Sequence, residues 1–162
     1  MARRDSERWE VRRERHRRRL GVRDPRCQRC GESEPAALQQ RGAEIVCFAC
    51  VAADDGRSSV EAHHYAGKAN DSLCVPLPIN PHRAVSDEQL SWDTRTLRNP
   101  AGSGLRAAAA ALRGRAAVER QMVERIDSWV PDWLEQLDEQ LTGRFGEQWW
   151  EEFGLQPPPV LL

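Results

Sequence analysis

The sequence lacks the features of membrane-spanning and secreted proteins. No run approaches the ~20 consecutive apolar residues that a helix needs to cross a bilayer. The first residues, Met-Ala-Arg-Arg-Asp-Ser-Glu-Arg, contain no apolar stretch of the kind found in secretory signals. We therefore expect no membrane association and a cytoplasmic location. In that reducing compartment the five cysteines are not expected to form a disulfide framework.

Lysine is nearly absent, and the basic charge is unevenly placed. Lys68 is the only lysine, so arginine supplies the positive charge. The formal net charge of −1 conceals a strong asymmetry. Residues 1–30 contain twelve arginines and five acidic residues, whereas residues 119–154 contain three arginines and ten acidic residues. An anionic partner such as DNA is therefore expected near the N-terminus and would be repelled by the acidic end.

Composition divides the chain into five segments. They are an Arg-rich helical arm (1–24), a Cys- and His-rich module (25–98), a linker (99–104), an amphipathic, acidic, Trp-rich helical region (105–154) and a Pro-rich tail (155–162). In the arm, good helix formers over residues 5–20 predict a helix that Gly21 ends. This helix is either a solvated charged surface or a phosphate-binding one, because guanidinium groups match phosphate oxygens.

The acidic C-terminal region carries an apolar stripe. Val130, Leu134, Leu137 and Leu141 recur at helical intervals of four, three and four. Four of the six tryptophans accompany them: Trp129, Trp133, Trp149 and Trp150. The stripe either packs against the rest of the chain or forms a surface for a protein partner or for self-association, since tryptophan often anchors interfaces.

Four of the five cysteines have the spacing of a structural zinc site. Cys27-x-x-Cys30 and Cys47-x-x-Cys50 are separated by sixteen residues. Two tight turns of this kind present four thiolates to one ion, and Gly31 permits the sharp turn after the first pair. A closed four-thiolate site leaves no position for a substrate, so we expect this Zn²⁺ to stabilise the fold.

The segment between residues 44 and 92 also contains the fifth cysteine and the patterns of two strands and a helix. Cys74, between Leu73 and Val75, is expected to be a small buried apolar residue. Strands are predicted over residues 44–48 and 60–65. Asn80-Pro81 predicts a helix start, with Asn80 as the N-cap.

Three of the four histidines lie close together in the sequence. His63 and His64 end the predicted strand, and His82 follows at the predicted helix start. Adjacent strand residues point to opposite faces, so the strand must end or distort near Gly67 if both imidazoles serve one site. His16, inside the Arg-rich helix, is expected to belong to that charged surface.

This arrangement resembles the HNH, or ββα-metal, endonuclease family with two CxxC zinc knuckles. The resemblance covers roughly residues 25–92. It implies an α+β fold with a small zinc-stabilised ββα-metal (HNH-like) core and a mainly helical C-terminal extension. It also implies that a β-hairpin and a following helix hold one divalent ion, Mg²⁺ or Mn²⁺, beside the structural Zn²⁺.

The family's functional residues transfer by position. His63 and His82 would be ligands of the catalytic ion, and His64 would be the general base. Asn70 would be the loop residue that holds the hairpin and orients the base. Glu61 would orient a metal ligand, and Arg83 would bind a phosphate.

The implied activity is divalent-metal-dependent hydrolysis of DNA phosphodiester bonds, with RNA as the other nucleic acid to consider. Hydrolysis requires a water activated near neutral pH, for which histidine is suited, and a cation that stabilises the developing charge. The alternative is a non-catalytic, zinc-dependent DNA-binding or protein-adaptor module with a degenerate HNH fold.

Overall fold

The computed structural model describes residues 3–127 and 130–154. The predicted Pro-rich tail and Trp129 lie outside these ranges. The architecture is mixed α+β and mostly helical, with two separate two-stranded sheets. The chain divides into two compact units, residues 1–121 and 122–162. Within the described ranges, no helix is long and apolar enough to cross a membrane.

The Arg-rich segment forms helix α1, Arg3–Leu20, which belongs to the first unit. Gly21 ends it with a φ of 72°, as its position predicts. One face of α1 is buried: Asp5 and Leu20 are 4% and 5% exposed. Arg12 and His16 on the same face bind the buried carboxylate of Asp87. The helix is therefore docked on the module, and only its outer face carries solvated arginines.

The cysteine-bearing part of the chain consists of a hairpin and a short helix. A 3₁₀ turn (Pro35–Ala37) leads into strands β1 (Leu38–Arg41) and β2 (Glu44–Cys47), which pair antiparallel, and helix α2 (Phe48–Asp54) follows. Sequence analysis predicted β2 but missed β1 and α2. The β1 segment, Leu-Gln-Gln-Arg, is polar apart from Leu38, which is fully buried. Leu38 is the one buried residue of this strand. The segment therefore has no alternating apolar pattern from which the sequence could predict a strand.

A second hairpin and a helix form the centre of the first unit. Strands β3 (Val60–His64) and β4 (Cys74–Pro78) pair antiparallel, and helix α3 (Ile79–Gln89) begins directly after β4. The short helix α4 (Thr94–Leu97) follows. The prediction that Asn80 caps α3 was wrong. The N-cap is Pro78, two residues earlier, and the Asn80 side chain is bonded to other segments.

Helix α5 (Gly104–Met122) packs closely against the end of the second hairpin. Leu77 and Val85 share a core cluster with Ala117 and Val118 of α5. At Gly114 a Cβ atom would lie 1.8 Å from the backbone oxygen of Tyr65. Only glycine therefore permits this approach of helix to hairpin.

The second unit contains a π-helical turn (Val123–Asp127) and helices α6 (Val130–Phe145) and α7 (Trp149–Glu152). Gly146, with a φ of 93°, follows α6. The indole of Trp149 donates to Asp138, and Phe145 packs edge to face on Phe153. Neither helix has a buried residue. The predicted apolar stripe thus lies on a helix that is largely open to solvent.

Candidate functional site

The four predicted zinc ligands converge. Their sulfur atoms all lie within 4.8 Å of one another. The Cys27–Cys50 and Cys30–Cys47 Sγ distances are 3.8 and 3.6 Å. A tetrahedron with Zn–S bonds of about 2.3 Å has edges of about 3.8 Å, so the donor set fits one zinc ion.

Backbone amides support this cluster. Cys47 N donates to Cys27 Sγ, and Cys50 N donates to Cys47 Sγ, each at 3.3 Å. Burial raises the pKa of Cys27, but amide hydrogen bonds from Arg29, Cys30 and Cys47 outweigh it and lower the pKa to about 6. Burial and the neighbouring thiols raise the pKa of Cys50. Without a cation the site therefore favours a thiolate at Cys27 and disfavours one at Cys50, which a bound cation would stabilise.

A second candidate centre lies where the β3–β4 hairpin meets α3. His63 is 2% exposed, and its ring lies edge to face against that of His82, with centroids 5.2 Å apart. Burial, followed by the nearby imidazoles of His82 and His64, lowers the pKa of His63 to about 4. His63 is therefore neutral at pH 7, which is the form that binds metals.

Glu61 links this histidine pair to Arg83. The carboxylate accepts from His82 Nδ1 through Oε2 and from Arg83 Nη2, at 3.0 Å, through Oε1. A carboxylate only accepts, so the proton lies on Nδ1 of His82 and the Nε2 lone pair is left for another partner. This is the carboxylate–histidine pairing that orients metal ligands in proteins. Sequence analysis placed Glu61 in that role.

His64 points to the other face of the strand, away from His63. Its Nδ1 lies 3.3 Å from the backbone oxygen of Asp71 and donates to it, which leaves Nε2 as the acceptor. Cys74, the cross-strand partner, places its sulfur 3.4 Å from both ring nitrogens. The prediction that Cys74 is buried was wrong, because His64 and Cys74 share the exposed face of this small sheet.

Asn70 fastens the β3–β4 loop to α4. Its Nδ2 donates to the backbone oxygens of Ala66, Thr96 and Leu97, at 2.9, 2.9 and 3.2 Å. These bonds fit the predicted function of holding the hairpin. Asn70 is thus bonded to residues 96 and 97, whereas the His64 ring contacts Asp71 and Cys74.

The structure therefore brings together some of the predicted site residues and separates others. Glu61, His63, His82 and Arg83 meet on the α3 side of the hairpin, and His64 lies on the opposite side. Among residues 3–127 and 130–154, the four cysteines are the only group of three or more Cys, His, Asp or Glu side chains placed to hold one metal ion. The second centre thus offers two imidazoles rather than a preassembled three-donor site.

Sequence analysis missed Gln89, which closes this site. Its Nε2 donates to the backbone oxygens of His64 and Tyr65 and lies 3.1 Å from His63 Nε2. Gln89 is seven residues after His82, so both share the face of α3 that meets the hairpin. That spacing was the available signal. Gln89 also explains how β3 ends, because it binds the carbonyls that leave the sheet.

Helix α1 precedes both sites in the sequence, and its outer face is basic. Arg8, Arg15 and Arg18 are exposed, whereas Arg12 and Arg13 turn inward. Arg13 binds Glu34, which follows the first cysteine pair. The inward arginines are therefore structural. Arg18 is paired with Glu14, and Arg8 and Arg15 are the outward arginines that a phosphate backbone could contact.

No family model matches this chain, and no curated protein or solved structure is significantly similar to it. What the residues show directly is a partly buried four-cysteine group suited to zinc, in a mixed α+β fold.

Proposed function

We propose that this protein is a divalent-metal-dependent endonuclease of the HNH type that hydrolyses DNA phosphodiester bonds. The observation that carries the proposal is the meeting of His63 and His82 across the contact between a β-hairpin and the helix that directly follows it. A ββα unit with facing histidines, pinned by a four-cysteine site, supports an HNH-like fold.

His63 and His82 would hold the catalytic ion, which would stabilise the charge that develops on the phosphate. Glu61 fixes the tautomer of His82, and burial keeps His63 neutral. Because the donors are imidazoles, a first-row transition ion suits them better than Mg²⁺ does. The test therefore includes the transition ions Mn²⁺ and Ni²⁺ as well as Mg²⁺.

His64 would take the proton of the attacking water at Nε2. Because the structure places its ring on the opposite side of the hairpin from His63 and His82, this role requires the strand end before Gly67 to turn the ring toward the ion. The Nδ1–H of His64 is bound to the backbone oxygen of Asp71, so Nε2 carries the lone pair, and the exposed sulfur of Cys74 lies 3.4 Å from it. Arg83 would bind a phosphate oxygen adjacent to the cleaved bond. The arginine lies over the ring of Phe48 and against Glu61, which limits its rotation.

The exposed arginines of α1 would bind the DNA backbone. Arg8→Ala and Arg15→Ala are expected to weaken DNA binding about equally for all sequences and to lower its salt dependence. Arg57→Ala is the control, because Arg57 is also exposed but lies in the loop that follows α2 and is paired with Asp55. RNA is the competing nucleic acid, and a labelled RNA duplex in the same titration separates the two.

A second candidate is a non-catalytic zinc-dependent DNA-binding or adaptor module. One observation favours it: Nε2 of His63 lies against Nε2 of Gln89, at 3.1 Å, inside the core, as in a structural histidine. This candidate predicts salt-sensitive DNA binding that survives replacement of His63, His64 and His82.

Plasmid cleavage by the zinc-loaded protein tests the proposal. Supercoiled DNA is incubated without added metal and with Mg²⁺, Mn²⁺ or Ni²⁺, beside His64→Asn and His16→Asn. Asparagine keeps a polar side chain but cannot act as a base near neutral pH. Ion-dependent cleavage that falls at least about 100-fold in His64→Asn, but not in His16→Asn, supports the nuclease.

Two results would contradict it. If His64→Asn cleaves DNA as well as the wild type does, His64 is not the general base. A folded, zinc-loaded protein that binds DNA but cuts it with none of these ions would favour the second candidate.

A further inference from the structure

One side chain hydrogen-bonds the first turn of α3 to both cysteine turns. Asn80 is 7% exposed and lies two residues before His82. Its Oδ1 accepts from the backbone nitrogen of Ala49, at 3.0 Å, and its Nδ2 donates to Oε2 of Glu32, also at 3.0 Å. The side chain uses both ends of its amide, which no buried aliphatic replacement could do.

Both partners of Asn80 belong to the zinc-binding turns. Ala49 lies between Cys47 and Cys50, and Glu32 follows Cys30 by two residues. The other carboxylate oxygen of Glu32 accepts from the backbone nitrogens of residues 33 and 34, at 3.0 and 2.9 Å. Glu32 is therefore held in place on the first turn while it binds Asn80.

A second contact runs parallel to this one. The guanidinium of Arg83 lies 4.8 Å from the centroid of Phe48, the residue after Cys47. Glu61 then binds both Arg83 and His82. The cysteine turns thus contact α3 at Asn80 and at Arg83, on either side of the histidine.

We propose that Asn80 is a positioning residue that transmits the geometry of the four-cysteine site to His82 and Arg83. This inference rests on the proposed nuclease function for its effect on cleavage, but not for its effect on His82. The backbone of α3 is already anchored at the other side by the bond from Ile79 N to the oxygen of Ser59. Asn80 supplies the anchor on the zinc side.

Asn80→Ala should keep all four zinc ligands and one zinc per chain. The His82 imidazole should change its environment, and cleavage should fall about 10- to 100-fold, as is typical when partners that orient metal ligands are removed. Asn99→Ala is the matched control. Asn99 is also buried and makes two hydrogen bonds, but both go to Ser103 in the 99–104 loop.

An exchanged pair distinguishes positioning from a general loss of stability. Asn80→Asp alone places a second carboxylate against Glu32 and should impair His82 as Asn80→Ala does. Combined with Glu32→Gln, the donor and the acceptor change places, because the new amide at position 32 donates to the new carboxylate at position 80 while Ala49 N keeps an acceptor. The double variant should therefore recover the His82 signal and most of the cleavage.

The measurement is imidazole ¹⁵N–¹H NMR of the zinc-loaded full chain, with zinc content and cleavage recorded on the same samples. His82 signals that shift in Asn80→Ala, stay in Asn99→Ala and return in the exchanged pair support the inference. Unshifted His82 signals in a zinc-loaded Asn80→Ala would overturn it, and so would an exchanged pair that binds zinc without recovery. If His82 responds as expected while the wild type cuts no DNA, the coupling stands and the nuclease proposal fails.

Discussion

His63 and His82 meet edge to face at the contact between β3 and α3, with their ring planes at 74°. His63 lies next to the end of β3 and His82 lies in the first turn of α3. Local sequence alone could therefore not pair the two residues. His63 is fully enclosed, whereas the His82 side chain keeps an exposure of 18%. Burial therefore opposes protonation of His63.

The enclosed imidazole predicts an acid-sensitive fold. Unfolded His63 has an ordinary pKa of 6.5, and burial lowers the pKa of the folded form to about 4. Between these values the unfolded chain binds a proton that the folded chain excludes. The free energy of unfolding should therefore decrease as the pH falls from 6.5 to 4, by up to about 3 kcal/mol, with no contribution from His63 above that window.

Urea unfolding of the wild type and of His63→Gln at several pH values checks this. Protonation of the cysteines affects both proteins alike, so the difference between their unfolding free energies isolates His63. The advantage of the wild type should shrink on acidification. Parallel curves between pH 7 and 4 would show that His63 does not titrate as the structure predicts.

Zinc removal should unfold the cysteine-bearing hairpin. Structural zinc contributes about 10–16 kcal/mol in zinc-finger peptides at pH 7, and β1 has little apolar area of its own. A chelator, or Cys50→Ser, should lower the melting temperature and abolish the single zinc per chain. Elemental analysis and calorimetry measure these effects. Cys74→Ser should retain the zinc, and its loss in that variant would contradict the ligand assignment.

Gly114 should not tolerate a side chain. Gly114→Ala would place a Cβ atom 1.8 Å from the Tyr65 oxygen, which belongs to the backbone and cannot move alone. We expect a loss of about 3 kcal/mol or more in the free energy of unfolding. Gly143→Ala is the control: Gly143 lies within α6 with open space around it, so alanine should stabilise by up to about 1 kcal/mol. Equal effects of the two substitutions would contradict the close approach of α5.

Alkylation of Cys74 should block the proposed base. The exposed sulfur lies 3.4 Å from both nitrogens of His64, so a carboxamidomethyl group would cover the ring. Iodoacetamide should suppress cleavage by the zinc-loaded wild type, with one adduct per chain by mass spectrometry. Cys74→Ala should keep its cleavage under the same treatment. Full activity of the singly alkylated wild type would show that Nε2 of His64 is not used.

Local patterns in the sequence predicted much of the fold because they depend on neighbouring residues. The paired cysteine spacing indicated the zinc site, and helix formers followed by Gly21 indicated α1. The β1 strand and the exposure of Cys74 were not predictable in this way. Each depends on which face of a small sheet another segment covers, and that segment is distant in the sequence.

In the candidate site, too, the sequence predicted some features and only the tertiary structure decided others. Residue identity and spacing determined the four sulfur ligands, and they brought His63, His82, Glu61 and Arg83 into consideration. Only the tertiary structure decided which of these side chains meet. The β-strand alternation turned His64 away from His63, and the helical period brought Gln89 to His63 and Asn80 to the cysteine turns. These contacts join segments 26 to 48 residues apart, and packing between elements, rather than local propensity, determines such distances.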